Sequence, residues 1–136
     1  MVRLQHEPID APALLDSVRA DADGAVALFT GVVRNHNAGR RVELLEYHAY
    51  PEMALREMEK IERRALERFG VGAIHAVHRT GVLRVGETAV AVAVAAAHRD
   101  EAFAACRFVI DELKRTVPIW KKERFEGGEA WIEGPA

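Results

Sequence analysis

The stretch from Thr88 to Phe125, TAVAVAVAAAHRDEAFAACRFVIDELKRTVPIWKKERF, decides the fold. It opens with valine and alanine from Ala89 to Ala97, a strand-length run far short of the roughly 20 apolar residues a bilayer crossing needs. His98-Arg99 follows, and Asp100 is expected to cap a helix in which Phe103, Cys106, Ile110 and Leu113 recur at helical spacing. Pro118 lacks an N–H and clashes with a preceding turn, so it closes that helix. Ile119 to Phe125 then reads as a further strand.

Towards the N-terminus the same mixture continues. Pro51 to Phe69 is the clearest helix, with Pro51 in its first turn, Gly70 placed to end it, and Met53, Leu55, Met58, Ile61, Ala65, Leu66 and Phe69 as its apolar stripe. A shorter helix opens at Asp10-Ala11-Pro12, with Asp10 near the cap. Strands are expected at Val2–Glu7, Ala25–Val33, Val42–Tyr50, Ala73–Arg79 and Ala130–Glu133. Gly31 lies inside the second of these, where glycine marks a bulge or a close backbone approach. Residues Arg34 to Arg41 read as a polar, mobile loop, and Arg84 to Glu87 as a turn. With no repeat, low-complexity segment or linker, residues 1–136 read as a single α+β domain with three main helices and largely antiparallel pairing.

Composition narrows the function. Hydrophobic residues make up 49% and charged residues 29%, as in a globular protein. The balance of 19 Lys+Arg against 21 Asp+Glu gives a net charge of −2, which offers no general attraction to nucleic acid or a membrane surface. The N-terminus shows no signal-peptide core, so a cytoplasmic setting is expected. One cysteine, Cys106, excludes an internal disulfide and a cysteine metal cage; on the apolar side of its helix it reads as packing. There is no Gly-rich phosphate loop, no paired-histidine zinc motif and no nucleophile elbow around Ser17. No metal or cofactor is implied.

What remains is a set of cations at element ends. Lys114, Arg115, Lys121 and Lys122 surround Pro118; Arg34 follows an apolar strand, with His36 just beyond; His98-Arg99 sits between a strand and a helix start. Crowded ammonium groups facing a cleft favour the neutral amine, so such a site suits anion binding, proton transfer or both. Taken singly, each residue has a plainer reading. Lys114 complements a helix dipole, and Lys121, Lys122 and Arg124 protect an edge strand from aggregation. Their joint order carries the signal.

In that order the chain resembles the catalytic (large) subunit of molybdopterin synthase. The resemblance runs from about Gly24 to Glu133 through five blocks: Phe29-Thr30-Gly31-Val32-Val33-Arg34-Asn35-His36-Asn37, Leu45-Glu46-Tyr47-His48-Ala49-Tyr50-Pro51-Glu52-Met53, His78-Arg79-Thr80-Gly81, Ala97-His98-Arg99, and Leu113 to Glu123. It implies an α/β hammerhead-type fold and a sulfurtransferase of molybdenum-cofactor biosynthesis. The implied substrate is cyclic pyranopterin monophosphate, converted to the dithiolene of molybdopterin. The implied donor is a small ubiquitin-like subunit ending in a Gly-Gly thiocarboxylate. A homodimer within a heterotetramer is implied, with the pterin pocket drawing on both protomers. Lys114 and Lys121 match the family's active-site lysines, and Arg34, His98 and Arg99 match its substrate-binding residues. Two other classes compete with it. A non-catalytic adaptor could dock a ubiquitin-like tail in the same basic pocket, and a small RNA-binding domain could use Lys121, Lys122, Arg124 and Trp120.

Overall fold

The computed structural model of the protein describes residues 1–132; Glu133, the expected end of the last strand, lies outside the described residues. In chain order the elements are β1 (Val2–Gln5), α1 (Ala11–Ser17), β2 (Ala25–Val32), β3 (His36–Asn37), β4 (Arg40–Ala49), α2 (Pro51–Phe69), β5 (Ala73–Arg79), β6 (Gly81–Arg84), β7 (Thr88–Ala96), α3 (Arg99–Thr116), β8 (Ile119–Phe125) and β9 (Gly128–Ile132). They form two sheets. One has the order β1-β5-β7-β2, with β1 parallel to β5 and the other pairs antiparallel. The other has the order β3-β4-β8-β9, with β6 also on β4, and is antiparallel throughout.

The Val/Ala alternation of β7 explains the layering. Side chains alternate across a strand, so Val90, Val92 and Val94 share one face and Ala91, Ala93 and Ala95 the other. The valines pack into the main core with Met58 and Ile61 of α2 and Cys106 and Val109 of α3. The alanines leave room for α1, whose Leu14, with Val18 at the helix's C-cap, completes a smaller core with Val77. Burial on both faces accounts for an uninterrupted apolar strand.

The helix signals act where chemistry places them. The Asp10 side chain accepts from the N–H of Ala13, and Gly70, with φ 61°, ends α2 by donating to the Leu66 carbonyl. In α2, Ala54 takes the buried place expected of Met53, which is exposed. Asp100 is not the cap of α3. His98 holds that position without a side-chain bond, and Asp100 and Glu101 fall in the first turn, where their charge complements the helix dipole. Among the described residues, no helix is long and apolar enough to cross a membrane.

The second sheet holds three departures. The expected loop at residues 34–41 is a hairpin: His36 and Asn37 pair with Arg41 and Arg40 across a two-residue turn. Ala38 and Gly39 both have positive φ there (51° and 76°), the pattern that matches the twist of paired strands. Residues 81–84 form β6, a strand set by its pairing with β4. Finally, β8 lies between β4 and β9, so Lys121, Lys122 and Arg124 are not edge-strand guards.

Candidate active site

Each cation near Pro118 is aimed by local chain geometry. Leu113 and Val117 are buried on one side of the stop, and Ile119 on the other. Val117 is extended (φ −78°, ψ 129°) while its N–H still donates to the Leu113 carbonyl, so the chain leaves the helix axis within one residue. Strand alternation then sorts the charges of β8. Lys122 and Arg124 face Glu129, at 3.0 and 3.4 Å. Lys121 and Glu123 face inward and line a cavity that Lys114 also borders.

The opposite wall is built by β2. Its register shifts between Gly31 and Val32, and a Cβ at Gly31 would lie 2.6 Å from Val90 Cγ1. Only glycine lets β2 come so close to β7 there. Backbone bonds from Val33 N–H to the Glu87 carbonyl (3.0 Å) and from Gly86 N–H to the Val33 carbonyl (2.9 Å) fix the residue before Arg34. The β3–β4 hairpin clamps Glu123: Asn37 Nδ2 donates to its Oε2 at 2.9 Å, and Arg40 lies 3.8 Å from Oε1 while stacking 3.9 Å above Phe125.

The resulting cavity holds about 360 Å³, enough for a small ligand. Arg34 and Lys114 are exposed at its rim, Lys121 is half-buried, and Tyr47, His78 and Glu123 are buried in its wall. Burial lowers the Lys121 pKa first, the charges of Lys114 and Arg34 lower it further, and Glu123 acts the other way. Burial takes His78 down to about 4, helped by Lys114 and Lys121 and opposed by its bond to the Arg79 backbone. Burial also raises the Tyr47 hydroxyl to about 12, so it stays protonated.

Of the five residues singled out in the sequence, the structure brings Arg34, Lys114 and Lys121 to one cavity. His98 and Arg99 are exposed at the opposite end of α3, where 15 residues at about 1.5 Å each put Arg99 roughly 22 Å along the axis from Lys114. His78, Glu123 and Tyr47 were not singled out. The available signal was register: His78 follows the inward Ile74 and Ala76 at strand spacing, and Glu123 follows Lys121 in the same way.

Other reactive-looking groups are inert. Ser17 Oγ lies 2.7 Å from His75 Nδ1, but its hydrogen goes to the Leu14 carbonyl at 2.6 Å, so the histidine donates and does not activate it. The Cys106 thiol faces the Val92 carbonyl, and burial pushes it up to about 11. Among the described residues, no three His, Cys, Asp or Glu side chains are placed to hold a metal ion.

The α+β chain thus converges three cations on a ligand-sized cavity, an arrangement suited to a small anion. The MoaE protein family model matches residues 4–116, a span that includes Arg34 and Lys114 and stops short of Lys121. The chain is 49% identical over 117 residues to the molybdopterin synthase catalytic subunit of Pyrococcus abyssi, spanning 86% of this chain and 79% of that one. The crystal structure of molybdopterin synthase from Staphylococcus aureus superposes with a TM-score of 0.91 at 36% identity, covering 96% of this chain and 95% of that chain. A complex of subunits 1 and 2 of molybdopterin-converting factor from Helicobacter pylori shares the fold (TM-score 0.80) at 20% identity, covering 97% and 90%. The chain belongs to the MoaE family, the catalytic subunits of molybdopterin synthase.

Proposed function

We propose that the protein transfers sulfur to cyclic pyranopterin monophosphate, building the dithiolene of molybdopterin from the C-terminal thiocarboxylate of a small ubiquitin-like subunit. The observation that carries this reading is the convergence of Arg34, Lys114 and Lys121 on one cavity of a chain whose net charge is −2. Both reactants are anions, and local cations hold them without attracting polyanions generally.

The positions suggest a division of labour. Arg34, with a fixed fork of donors, suits the phosphate better than a lysine's point charge does. Lys114, at the exposed rim, meets the donor tail and acts as acid/base or transient acyl acceptor at the thiocarboxylate carbon. Once the donor's sulfur has bonded to the pterin, with the displaced pterin oxygen leaving protonated, water or the Lys114 amine adds to the acyl carbon. Lys121, deeper in the cavity, stabilises the oxyanion of that adduct. The adduct collapses as the C–S bond breaks, its pair staying on the pterin's sulfur and the donor leaving as a carboxylate or a transient Lys114 amide. His98 and Arg99 are too far along α3 to serve the same cavity. In this reading they reach the pterin held by a second copy, so the active form is a homodimer carrying a small subunit at each end. A cytoplasmic setting goes with this role.

Reconstitution with thiocarboxylated small subunit and cyclic pyranopterin monophosphate tests the proposal, with dithiolene as the product scored. Formation is expected. No product from a donor that still docks would replace sulfur transfer with the adaptor reading. RNA binding has less support, because Lys122 and Arg124 are both paired with Glu129.

A further inference from the structure

His78 stands in the cavity wall, and the sulfur-transfer reading leaves it without a task. It is 3% exposed, near the end of β5. Its Nδ1 lies 2.7 Å from the carbonyl oxygen of Arg79. A carbonyl can only accept, so Nδ1 carries the hydrogen, and in the neutral ring Nε2 keeps its lone pair. Burial and the two lysine charges keep the ring neutral. Its orientation is fixed from outside. The Tyr47 ring meets it edge-on, with centroids 5.1 Å apart and planes at 70°. Arg79, whose carbonyl it uses, is tied down by its own guanidinium, which donates to the His6 carbonyl at 3.0 and 2.7 Å and approaches Glu87 at 3.4 Å.

The cations of this wall only donate hydrogen bonds, and they recognise any small anion alike. Glu123 also accepts: Asn37 holds its Oε2 at 2.9 Å, while its Oε1 is buried without a hydrogen-bond partner among the described residues, 3.8 Å from Arg40. His78 adds a buried, neutral acceptor among the donors. We infer that His78 Nε2 accepts a hydrogen bond from a ring N–H or hydroxyl of the pterin, which makes His78 a specificity residue. The inference rests on the sulfur-transfer reading. A plain anion that fills the cavity leaves Nε2 desolvated and unpaired, a penalty that favours a ligand joining an anionic group to a donor edge.

Two measurements test this on the full chain with its small subunit. In ¹⁵N-histidine NMR, the unprotonated Nε2 signal of His78 moves when cyclic pyranopterin monophosphate is added and stays in place with inorganic phosphate. In kinetics, His78→Leu raises the pterin KM about tenfold, the upper range for one hydrogen bond. Inhibition by inorganic phosphate keeps its constant, and His78→Gln, which retains an acceptor, recovers part of the loss. Pterin binding with an unmoved Nε2 signal overturns the inference, as does equal weakening of pterin and phosphate by His78→Leu. Failure of the unaltered protein to bind pterin at all is a different result: it overturns the sulfur-transfer reading, and this inference with it.

Discussion

Lys121 holds the charge balance of the cavity, and its neighbours allow the sign of that balance to be tested. Burial, Lys114 and Arg34 favour its neutral amine, and Glu123 favours the ammonium. If the ammonium is the working form, turnover falls as pH rises through this lowered pKa. Arg34→Ala removes a cation, so the alkaline limb of the kcat profile moves to higher pH. Glu123→Gln removes the supporting carboxylate and moves it to lower pH. Shifts in the same direction would contradict the role. His78 gives a second pH dependence, in stability. Its folded pKa of about 4 lies below the ordinary 6.5, so the unfolded chain binds the proton first as pH falls. Stability is fully present above about 6.5 and is lost towards about 4, where the folded state titrates too; the loss totals roughly 3 kcal/mol. The Tm of His78→Leu should therefore fall less than that of the unaltered chain between neutral pH and about pH 4; equal falls would contradict it. Arg34, Lys114 and Lys121 were legible in the sequence because charge at element ends is visible locally. His78 and Glu123 were not, because their meaning comes from Tyr47, Asn37 and Arg40, residues remote in sequence.

Elements convert those residues into a site through two close constraints. Pro118 ends α3 so that Lys121, on β8, turns to the cavity that Lys114, in the last turn of the helix, also borders. Gly31 lets β2 approach β7 and deliver Arg34 three residues later. Gly31→Ala would place a Cβ 2.6 Å from Val90 Cγ1. Overpacking of this kind costs about 1–3 kcal/mol, so the urea midpoint should drop and the pterin KM rise, as β2 shifts and moves Arg34. An unchanged midpoint would mean the contact relaxes freely. The long helices and β7 were legible because their signals are periodic and local. The short strands β3 and β6 were not, since two and four residues become strands only by pairing with β4. The α3 start misled for a different reason. An acidic residue favours both the cap and the first turn, and Asp100 and Glu101 take the turn.

Across the whole molecule, the two sheets leave one unresolved distance to explain: His98 and Arg99 lie at the far end of α3 from Lys114. The proposed site shared between two copies would account for it, and it makes a complementation test possible. Mixing inactive Lys114→Ala with inactive Arg99→Ala, after subunit exchange, should restore about one quarter of full activity, since half of the dimers are mixed and each keeps one intact site. No recovery despite confirmed exchange would contradict a site shared between two copies. Sulfur transfer by the cation-lined cavity is tested most directly by single-turnover dithiolene formation with Lys114→Ala, thiocarboxylated donor and cyclic pyranopterin. The rate should fall by about 100-fold or more, with the dimer and donor affinity retained. Near-normal dithiolene formation by that variant would contradict the claim.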